Sequence, residues 1–512
     1  MTSQASGPPA SNGEARDTRI LPVDPSQLGQ LVLHEGTDSL LDDWDIDWAP
    51  DNSSISNLKL AAQQLRDTDI PVGFPTETVY GLGADATRSS AVRGIYTAKQ
   101  RPSDNPLIVH VASLQQLRAL LRPPPSTSNG KDPTSNGTTP ATNGTANGAD
   151  TDPIPPIYHP LIRRFWPGPL TLILPLPSPS PLAPEVTASL RTFGARMPRS
   201  LLALALIKLT NRPLAAPSAN ASTRPSPTAA EHVFHDLRGR IDIILDGGPC
   251  DVGVESTVVD GLGTPPVILR PGGVSLEELR ECEGWEGVRV AYKDRAEGGQ
   301  EGEGQDGEGP RAPGMKYRHY SPRARVVLFE AGRMPRQGEI SDAAVRVGSE
   351  RVGVIRTRTW PRACGLNFIS VDGVMVRDLE EMDGISLRSG RKLTNGSSTL
   401  VEHDAPMRSG LQNLLHAAAQ HRIPTAQKIL LSLCQHGLTV SSSIWEINLG
   451  PKTEDIARGL FAALRELDKK DVDIIFVEGI DDSEGDVAAA VMNRLRKAAE
   501  VKMQSGMKDI PY

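Results

Sequence analysis

Aromatic residues and cysteines are both scarce in this sequence. Phe, Trp and Tyr account for 4% of its 512 residues, and the four cysteines, at positions 250, 282, 364 and 434, form no C-x-x-C pair. This spacing argues against a disulfide framework and a cysteine-rich zinc site, and it fits a reducing compartment. No apolar run approaches the roughly 18 residues of a membrane span. We therefore expect a cytoplasmic protein without membrane contact.

The familiar catalytic signatures are missing as well. The sequence contains no Walker loop, no G-x-S-x-G, no H-E-x-x-H and no G-x-G-x-x-G after a predicted strand. The N-terminus has no hydrophobic stretch typical of a secretory signal, and its many acids argue against a mitochondrial presequence. These absences exclude the commonest hydrolase, metalloprotease and dinucleotide-binding patterns.

The net charge of −7 is unevenly distributed. Residues 1–56 hold ten acidic and two basic side chains, and residues 293–312 hold six acidic and three basic ones. The rest of the chain carries a net charge of +4. A mildly basic body suits an anionic small molecule or a weak RNA contact, and it does not by itself indicate a nucleic-acid-binding protein.

Composition and periodicity predict two domains. We expect a disordered acidic tail over 1–56, a first domain over 57–292 and a linker over 293–325. A small α/β domain should follow over 326–512. Asn-Gly repeats predict a disordered insertion at 123–156, and a second disordered insertion is expected at about 385–410.

Four polar clusters fall at the ends of predicted strands in the first domain. They are PTETVYGLG (75–83), KQRPSDNPLIVH (99–110), Thr192 and Arg196 with AAPSANASTRPSPT (215–228), and GVEST (253–257) with LRPG (269–272). Each cluster alone also fits a structural role, such as turn chemistry or cations at a helix C-terminus. An Arg–Lys pair with a nearby Asn would suit a polyphosphate, because Arg offers a fork and Lys a point charge.

In this order and spacing, the clusters resemble the YrdC-type threonylcarbamoyl-AMP synthases, in their long two-domain form. Further matching stretches are WPGPLTLIL (166–174), DGG and GVESTVVD (246–260), ILRPGG (268–273), PGMKYRHYSP (313–322) and LFAALRELDKKDVDIIFVEG (460–479). The resemblance leaves out the tail, the 123–156 insertion, the 293–312 linker and the 377–445 region. It implies an α/β fold in which a YrdC-like twisted mixed sheet with a concave basic face precedes a smaller Rossmann-like domain.

The resemblance also implies a reaction. An ATP-dependent nucleotidyltransferase of this family makes L-threonylcarbamoyladenylate from L-threonine and bicarbonate and releases pyrophosphate. The product serves the threonylcarbamoyladenosine modification of tRNA next to the anticodon, through a downstream KEOPS-type transferase complex. Mg²⁺ would arrive with ATP, and a weak tRNA contact is expected. No covalent protein nucleophile is needed, which fits the missing motifs.

Site residues follow from the same resemblance. L-threonine would contact Thr78, His110, Arg196, the backbone of Ala216, and Ser256. ATP would contact Lys99, Arg101, Asn105, Thr192, Ser218, Asn220, Ser226, Arg270 and Tyr320. Glu77 and Glu255 are candidates for outer contacts to Mg²⁺, and Lys316–Tyr320 is expected to fold over the nucleotide as a lid.

Two other functions remain open at this stage. One is a double-stranded RNA or tRNA-binding module, against which the scarcity of aromatic residues argues. The other is carbamoyl transfer from carbamoyl phosphate on the same fold. Proteins of that kind carry extra zinc-finger or acylphosphatase-like modules, and no such module is visible here.

Overall fold

The computed structural model describes residues 15–33, 44–124, 152–291, 320–336, 339–340, 351–375, 423–435 and 438–503. The side chains of residues 433–441 are not described. The predicted insertion at about 385–410, and Lys316–His319 of the expected lid, lie outside these ranges.

The first domain is built on one strongly mixed sheet. Within the described ranges its eleven strands follow the order β1-β10-β4-β5-β9-β6-β8-β7-β11-β12-β13. These strands are β1 Arg19–Pro22, β4 Val72–Phe74, β5 Gly81–Asp85, β6 Ile108–His110, β7 Leu170–Pro175, β8 Thr192–Arg196, β9 Leu214–Ala215, β10 Ile243–Asp246, β11 Thr257–Asp260, β12 Val267–Arg270 and β13 Arg289–Val290. The sheet contains both parallel pairs, such as β6 with β8, and antiparallel pairs, such as β7 with β8.

Helices cover the sheet of the first domain. They are α1 Ser53–Asp67, α2 Ser89–Lys99, α3 Leu114–Leu121, α4 His159–Phe165, α5 Pro184–Thr187, α6 Leu201–Thr210, α7 Ala230–Leu237 and α8 Leu276–Arg280. The start of α1 shows why these segments are helical, because the Asn52 side chain accepts a hydrogen bond from the Ile55 N–H and caps the helix. Behind that cap, Leu58, Ala61 and Leu65 repeat at helical spacing and are buried.

The expectation of a disordered tail over 1–56 is wrong for its described part. β1 pairs in parallel with β10, and a small antiparallel sheet joins β2 Gly29–Leu33 to β3 Trp44–Trp48. Trp44 is 1% exposed, and its indole N–H donates to the Ala112 carbonyl at 2.7 Å. The segment folds because β1 pairs with a strand far along the chain and thereby covers an edge of the sheet.

The second domain is a Rossmann-like α/β unit. Its sheet has the order β17-β16-β18-β19-β15-β20-β14-β21 in the described part of the chain. The strands are β14 Arg325–Phe329, β15 Val352–Arg356, β16 Phe368–Val371, β17 Val374–Met375, β18 Gln427–Gln435, β19 Leu438–Asn448, β20 Ile474–Glu478 and β21 Val501–Met503, with helices α9 Thr453–Lys469 and α10 Asp486–Ala498. The predicted two-domain α/β class is thus confirmed. Strands β16, β17, β18, β19 and β21 were not predicted from the sequence.

Helices α9 and α10 pack directly against the first domain. Val79 and Val254 of the first domain share a buried hydrophobic cluster with Ile456 and Leu460 of α9. At Gly253, which has a φ of +77°, a Cβ atom would lie 2.3 Å from the Cα of Arg458. A residue without a side chain is therefore required there for the two domains to approach this closely.

None of the described helices is both long enough and apolar enough to cross a membrane.

The predicted disordered insertion at 123–156 extends too far at its C-terminal end. Ile154 is 1% exposed, and Asp152 binds the Arg118 guanidinium at 3.0 and 2.9 Å.

We expect residues 125–151 to be dispensable for folding. Replacing them with a short Gly-Ser linker should change the free energy of unfolding by less than about 1 kcal/mol, because their sequence is rich in Asn-Gly and has no apolar periodicity. Extending the deletion through residue 155 should cost about 2–5 kcal/mol, because it removes Ile154 from the core. Urea denaturation of both variants measures the difference. Equal losses in the two variants would show that 125–151 contributes to the core.

Candidate active site

The polar clusters meet in one pocket at the ends of the first-domain strands. The pocket and the solvent-filled space at its mouth together enclose about 710 Å³ not occupied by protein atoms. Its lining consists of Thr76, Thr78, Val79, Gly81, Arg101, Ile108, His110, Arg196, Ala216, Pro217, Ser218, Asn220, Arg224, Ser226, Glu255, Ser256, Arg270 and Tyr320. Stretches distant in the sequence thus form one continuous wall.

Eleven of the fourteen predicted site residues line this pocket. All five assigned to threonine are present, together with Arg101, Ser218, Asn220, Ser226, Arg270 and Tyr320. Lys99, Asn105 and Thr192 are not in the lining. Thr192 stands at the other end of β8 from Arg196, a separation of roughly 13 Å at the usual rise of a strand.

Arg196 is held by a buried carboxylate. Its Nη2 atom lies 2.5 Å from Oε1 of Glu77, and the two side chains are 4% and 2% exposed. Its Nε atom donates to the Gly168 carbonyl at 3.0 Å and its Nη1 atom to the Thr78 hydroxyl at 2.9 Å. A guanidinium has five N–H donors, so two remain for a ligand in the pocket.

Hydroxyl groups occur at two places in the pocket lining. The Thr76 and Thr78 hydroxyls are 2.9 Å apart, and the Thr76 hydroxyl donates to the Val79 carbonyl at 2.7 Å. The Ser256 hydroxyl lies 2.8 Å from that of Thr171 and accepts a hydrogen bond from Arg270 Nη2 at 3.1 Å. The arrangement can bond a small polar ligand from several directions.

His110 is a neutral imidazole in this environment. It is 4% exposed, and its ring makes an edge contact with Phe74. Burial lowers the pKa of His110 to about 3, with the nearby Arg196 charge adding to the effect. The Nδ1 atom has no hydrogen-bond partner among the described residues. His110 can therefore act as a hydrogen-bonding group but not as a cation near neutral pH.

Lys99 is buried behind the site instead of lining it. Its ammonium donates to the carbonyls of Ser218 and Asn220 at 2.5 and 2.6 Å. Burial lowers its pKa to about 7, and the charge of Arg101 contributes in the same direction. Lys99 therefore shapes the loop that carries Ser218 and Asn220, and its charge changes near neutral pH.

Asn105 also lies outside the pocket lining, and its side-chain amide is in an unusual environment. The residue is 0% exposed, yet neither polar atom of its amide has a hydrogen-bond partner in the described part of the chain. Buried amides are nearly always bonded. Asn105 is therefore an exception to that rule within the described residues, and the structure does not bring it into the pocket lining.

Tyr320 lines the pocket and also contacts the second domain. Its ring lines the pocket and also stacks on Phe461 of α9, with centroids 5.1 Å apart and planes inclined by 28°. Burial raises its pKa to about 12, helped by the neighbouring carboxylate of Glu255. Tyr320 therefore anchors the end of the linker to the second domain while forming part of the site wall.

Neither candidate carboxylate is available for a metal ion. Glu77 accepts from Arg196 and from the Arg199 N–H at 3.1 Å. Glu255 accepts from the Ser226 hydroxyl at 2.5 Å and from Arg494 Nε at 3.1 Å. No group of three His, Cys, Asp or Glu side chains suited to a metal occurs among the described residues. The carboxylates present in the pocket region therefore do not fit a Mg²⁺ ion held by the protein itself.

Four arginines and one carboxylate line the pocket, so it favours an anionic ligand. Thr76 and Arg224 were not assigned to the site from the sequence, and Glu255 was considered only as a contact to Mg²⁺. Arg224 lies in the Ser- and Pro-rich loop of the third cluster, next to Pro225. A basic residue within a Ser- and Pro-rich cluster that supplies other site residues is the sequence signal that would have identified Arg224.

Known proteins of one family match this chain. The model described as telomere recombination, for Sua5, YciO and YrdC proteins, matches residues 64–140 and 141–272. The model described as threonylcarbamoyl-AMP synthase, C-terminal domain, matches residues 274–500. The threonylcarbamoyl-AMP synthase of Schizosaccharomyces pombe is 40% identical over 470 residues, which cover 88% of this chain and 90% of that protein.

A solved structure matches over nearly the same length. The crystal structure of P. abyssi Sua5 complexed with L-threonine shares 34% sequence identity, with a TM-score of 0.57. The match covers 87% of this chain and 96% of that chain. The chain belongs to the threonylcarbamoyl-AMP synthase family.

We expect ATP binding to be coupled to protonation of Lys99. In the free protein the pKa of Lys99 is about 7, so at pH 8 the side chain is mostly neutral. Triphosphate charge nearby should raise that pKa, so binding should take up roughly half a proton or more at pH 8. ATP affinity should therefore fall as the pH rises from 7 to 9. Calorimetry in buffers of different ionisation enthalpy measures this uptake, and Lys99→Met should abolish it. Equal proton uptake by both proteins would contradict the assignment.

Proposed function

We propose that this member of the family condenses L-threonine, bicarbonate and ATP into L-threonylcarbamoyladenylate and releases pyrophosphate and one water molecule, the water leaving when the amine and bicarbonate form the carbamate. The observation that carries the proposal is the single pocket in which eleven of the fourteen residues expected from the family resemblance meet. The chain also covers 90% of the length of a relative named for this product. The product would serve threonylcarbamoyladenosine formation on tRNA.

The threonine end of the pocket is proposed to lie around Arg196. The two N–H donors that Arg196 does not spend on Glu77, Thr78 and Gly168 suit the amino-acid carboxylate. The hydroxyls of Thr78 and Ser256 provide partners for the substrate hydroxyl. Such a site rejects valine, because valine would leave these buried polar groups unpaired.

Neutral groups at this end favour carbamate formation. The amine of threonine must lose a proton before it attacks CO₂ or bicarbonate carbon. A neutral His110, with a pKa of about 3, does not repel or protonate that amine. The half-enclosed pocket also keeps water away from a carbamate, which reverts readily in water.

The nucleotide end is proposed to lie around Arg101, Ser218 and Asn220. The carbamate oxygen attacks the α-phosphorus of ATP, the bond to the bridging oxygen breaks, and pyrophosphate leaves with that electron pair. Positively charged Arg101 and Arg270 offset the negative charge that develops on pyrophosphate. Positioning and charge neutralisation account for the reaction without a covalent nucleophile.

Further partners belong to this proposal. Mg²⁺ would enter on the ATP phosphates, since both candidate carboxylates are engaged by protein groups. The product would pass to a KEOPS-type transferase complex, with at most a weak tRNA contact by this chain. A cytoplasmic site of action fits Cys250, Cys282 and Cys364, which are the cysteines whose side chains the structure describes and which are free and buried.

The proposal is tested by incubating the full chain with ATP, L-threonine and labelled bicarbonate. Pyrophosphate and a labelled adenylate should form together, and both should require threonine. Valine in place of threonine is the matched control and should give little product. ATP turnover that is independent of threonine, or labelled product from carbamoyl phosphate alone, would overturn the proposal.

Arg101→Ala should impair nucleotide use without unfolding the protein. Loss of a charge-assisted hydrogen bond worth about 1.5–3 kcal/mol corresponds to a roughly 10–150-fold decrease in kcat/KM for ATP. The side chain is half-buried at the pocket wall, so the thermal midpoint should change little. Arg101→Lys, which keeps the charge, should retain more activity. Unchanged kinetics in Arg101→Ala would rule out this role.

Tyr320→Ala should let water reach the adenylate. The variant removes part of the pocket wall as well as the stack on Phe461, and loss of a large buried ring costs about 3–5 kcal/mol. Phe461→Leu weakens the same stack from outside the pocket and serves as the matched control. Mass spectrometry should find more AMP relative to adenylate with Tyr320→Ala than with Phe461→Leu. The same ratio of AMP to adenylate in both variants would mean that Tyr320 only anchors the end of the linker to the second domain.

A further inference from the structure

Arg224 reaches the candidate site from a loop that is tied to the second domain. Its side chain is 18% exposed and lines the pocket. It also lines a smaller cavity at the domain boundary, together with Arg465 of α9. Its carbonyl accepts a hydrogen bond from the Asn220 amide at 3.0 Å, which places Arg224 in the same loop as two expected nucleotide contacts.

Asp236 on α7 connects Arg224 to Arg465. Its carboxylate is 0% exposed. Oδ1 accepts from Arg224 Nη1 at 2.8 Å, and Oδ2 accepts from Arg465 Nη2 at 2.7 Å. The Ala221 N–H donates to Oδ2 at 3.1 Å. Burial alone would raise the pKa of Asp236, but the bonds from Arg465 outweigh it and hold the pKa below its usual range. The carboxylate is therefore an ionised, fixed link between the domains.

Arg465 does not line the main pocket. Its side chain is 5% exposed, its Nη1 atom donates to Asp236 at 3.1 Å, and its Nε and Nη2 atoms both donate to the Pro225 carbonyl. It thus fixes the residue that follows Arg224 as well as the carboxylate that Arg224 binds.

The charges do not cancel at this link. One carboxylate faces two guanidiniums, while the neighbouring His232 is kept neutral because burial, followed by the charge of Arg465, lowers its pKa to about 3. His235 lies 2.9 Å from Arg224 Nη1 and 3.2 Å from Asp236 Oδ1. Since Arg465 is enclosed, the surplus positive charge is presented at Arg224, on the pocket wall.

We propose that Arg224 binds phosphate oxygens of the nucleotide and of the pyrophosphate product, and that Arg465 is the positioning residue that orients it through Asp236. The inference rests on the proposed function for the identity of the polyphosphate. It also assigns the second domain a role in the site: α9 holds a ligand-binding arginine of the first domain in place.

The test compares Arg224→Met, Arg465→Gln and the double variant, with Arg458→Met as matched control. Arg458 crosses the same interface from α9, but it donates to the Asp251 carbonyl instead of Asp236. Calorimetric binding of inorganic pyrophosphate and of ATP is measured in each protein, together with KM for ATP and for threonine. Thermal denaturation verifies that each variant is folded.

Arg224→Met should weaken pyrophosphate and ATP binding by about 10–100-fold, as expected for a charge-assisted bond. Arg465→Gln should weaken both by roughly 3–10-fold and leave the KM for threonine within about twofold. The double variant should bind no more weakly than Arg224→Met, because Arg465 acts through Arg224. Arg458→Met should resemble the wild type.

Two results would overturn the inference. One is pyrophosphate affinity in Arg224→Met within about twofold of the wild type, and the other is a full additional loss in the double variant, which indicates a merely structural Arg465. If Arg465→Gln does not fold, Arg465→Lys replaces it under the same criteria. Failure of the wild type to form adenylate while it still binds pyrophosphate through Arg224 would refute the proposed function and leave this inference standing.

Discussion

The contact on which the site most depends is a buried carboxylate shared between the two domains. Glu255 accepts from the Ser226 hydroxyl on one oxygen and from Arg494 of α10 on the other, and the Arg494 side chain is only 1% exposed. Removing one partner from a buried ion pair costs about 3–5 kcal/mol, because the remaining charge is left unpaired. The loop that carries Ser256 into the pocket is therefore held in place from outside its own domain.

The second domain is consequently part of the site's construction. Helix α9 provides Phe461, on which Tyr320 stacks, and Arg465, which binds Asp236. Helix α10 provides Arg494. Two of these contacts are charged and buried, so they hold only when the partners are correctly placed. Close approach at Gly253 permits this arrangement, since any side chain there would collide with the backbone of α9.

The groups that line the pocket are suited to holding and orienting a ligand. Arginines outnumber carboxylates along its lining, hydroxyls are grouped around Arg196, and burial keeps His110 neutral. Burial also lowers the pKa of Lys99 to about 7, so that a change in the charge of the bound ligand can alter its protonation. Such a lining is suited to orienting an anion without offering a nucleophile, which agrees with the lack of nucleophile motifs in the sequence.

Local patterns in the sequence determined the α/β class, some of the helices and strands of both domains, and the polar clusters, because periodicity and turn residues act between neighbours along the chain. Only the tertiary structure decided which way each polar side chain points. Lys99 turns to the carbonyls of Ser218 and Asn220, and Thr192 stands at the far end of β8. The folding of residues 15–33 and the pairing of Glu77 with Arg196, 119 residues apart, depend on contacts between distant segments. Such contacts leave no local pattern, since their partners meet only when the sheet has formed.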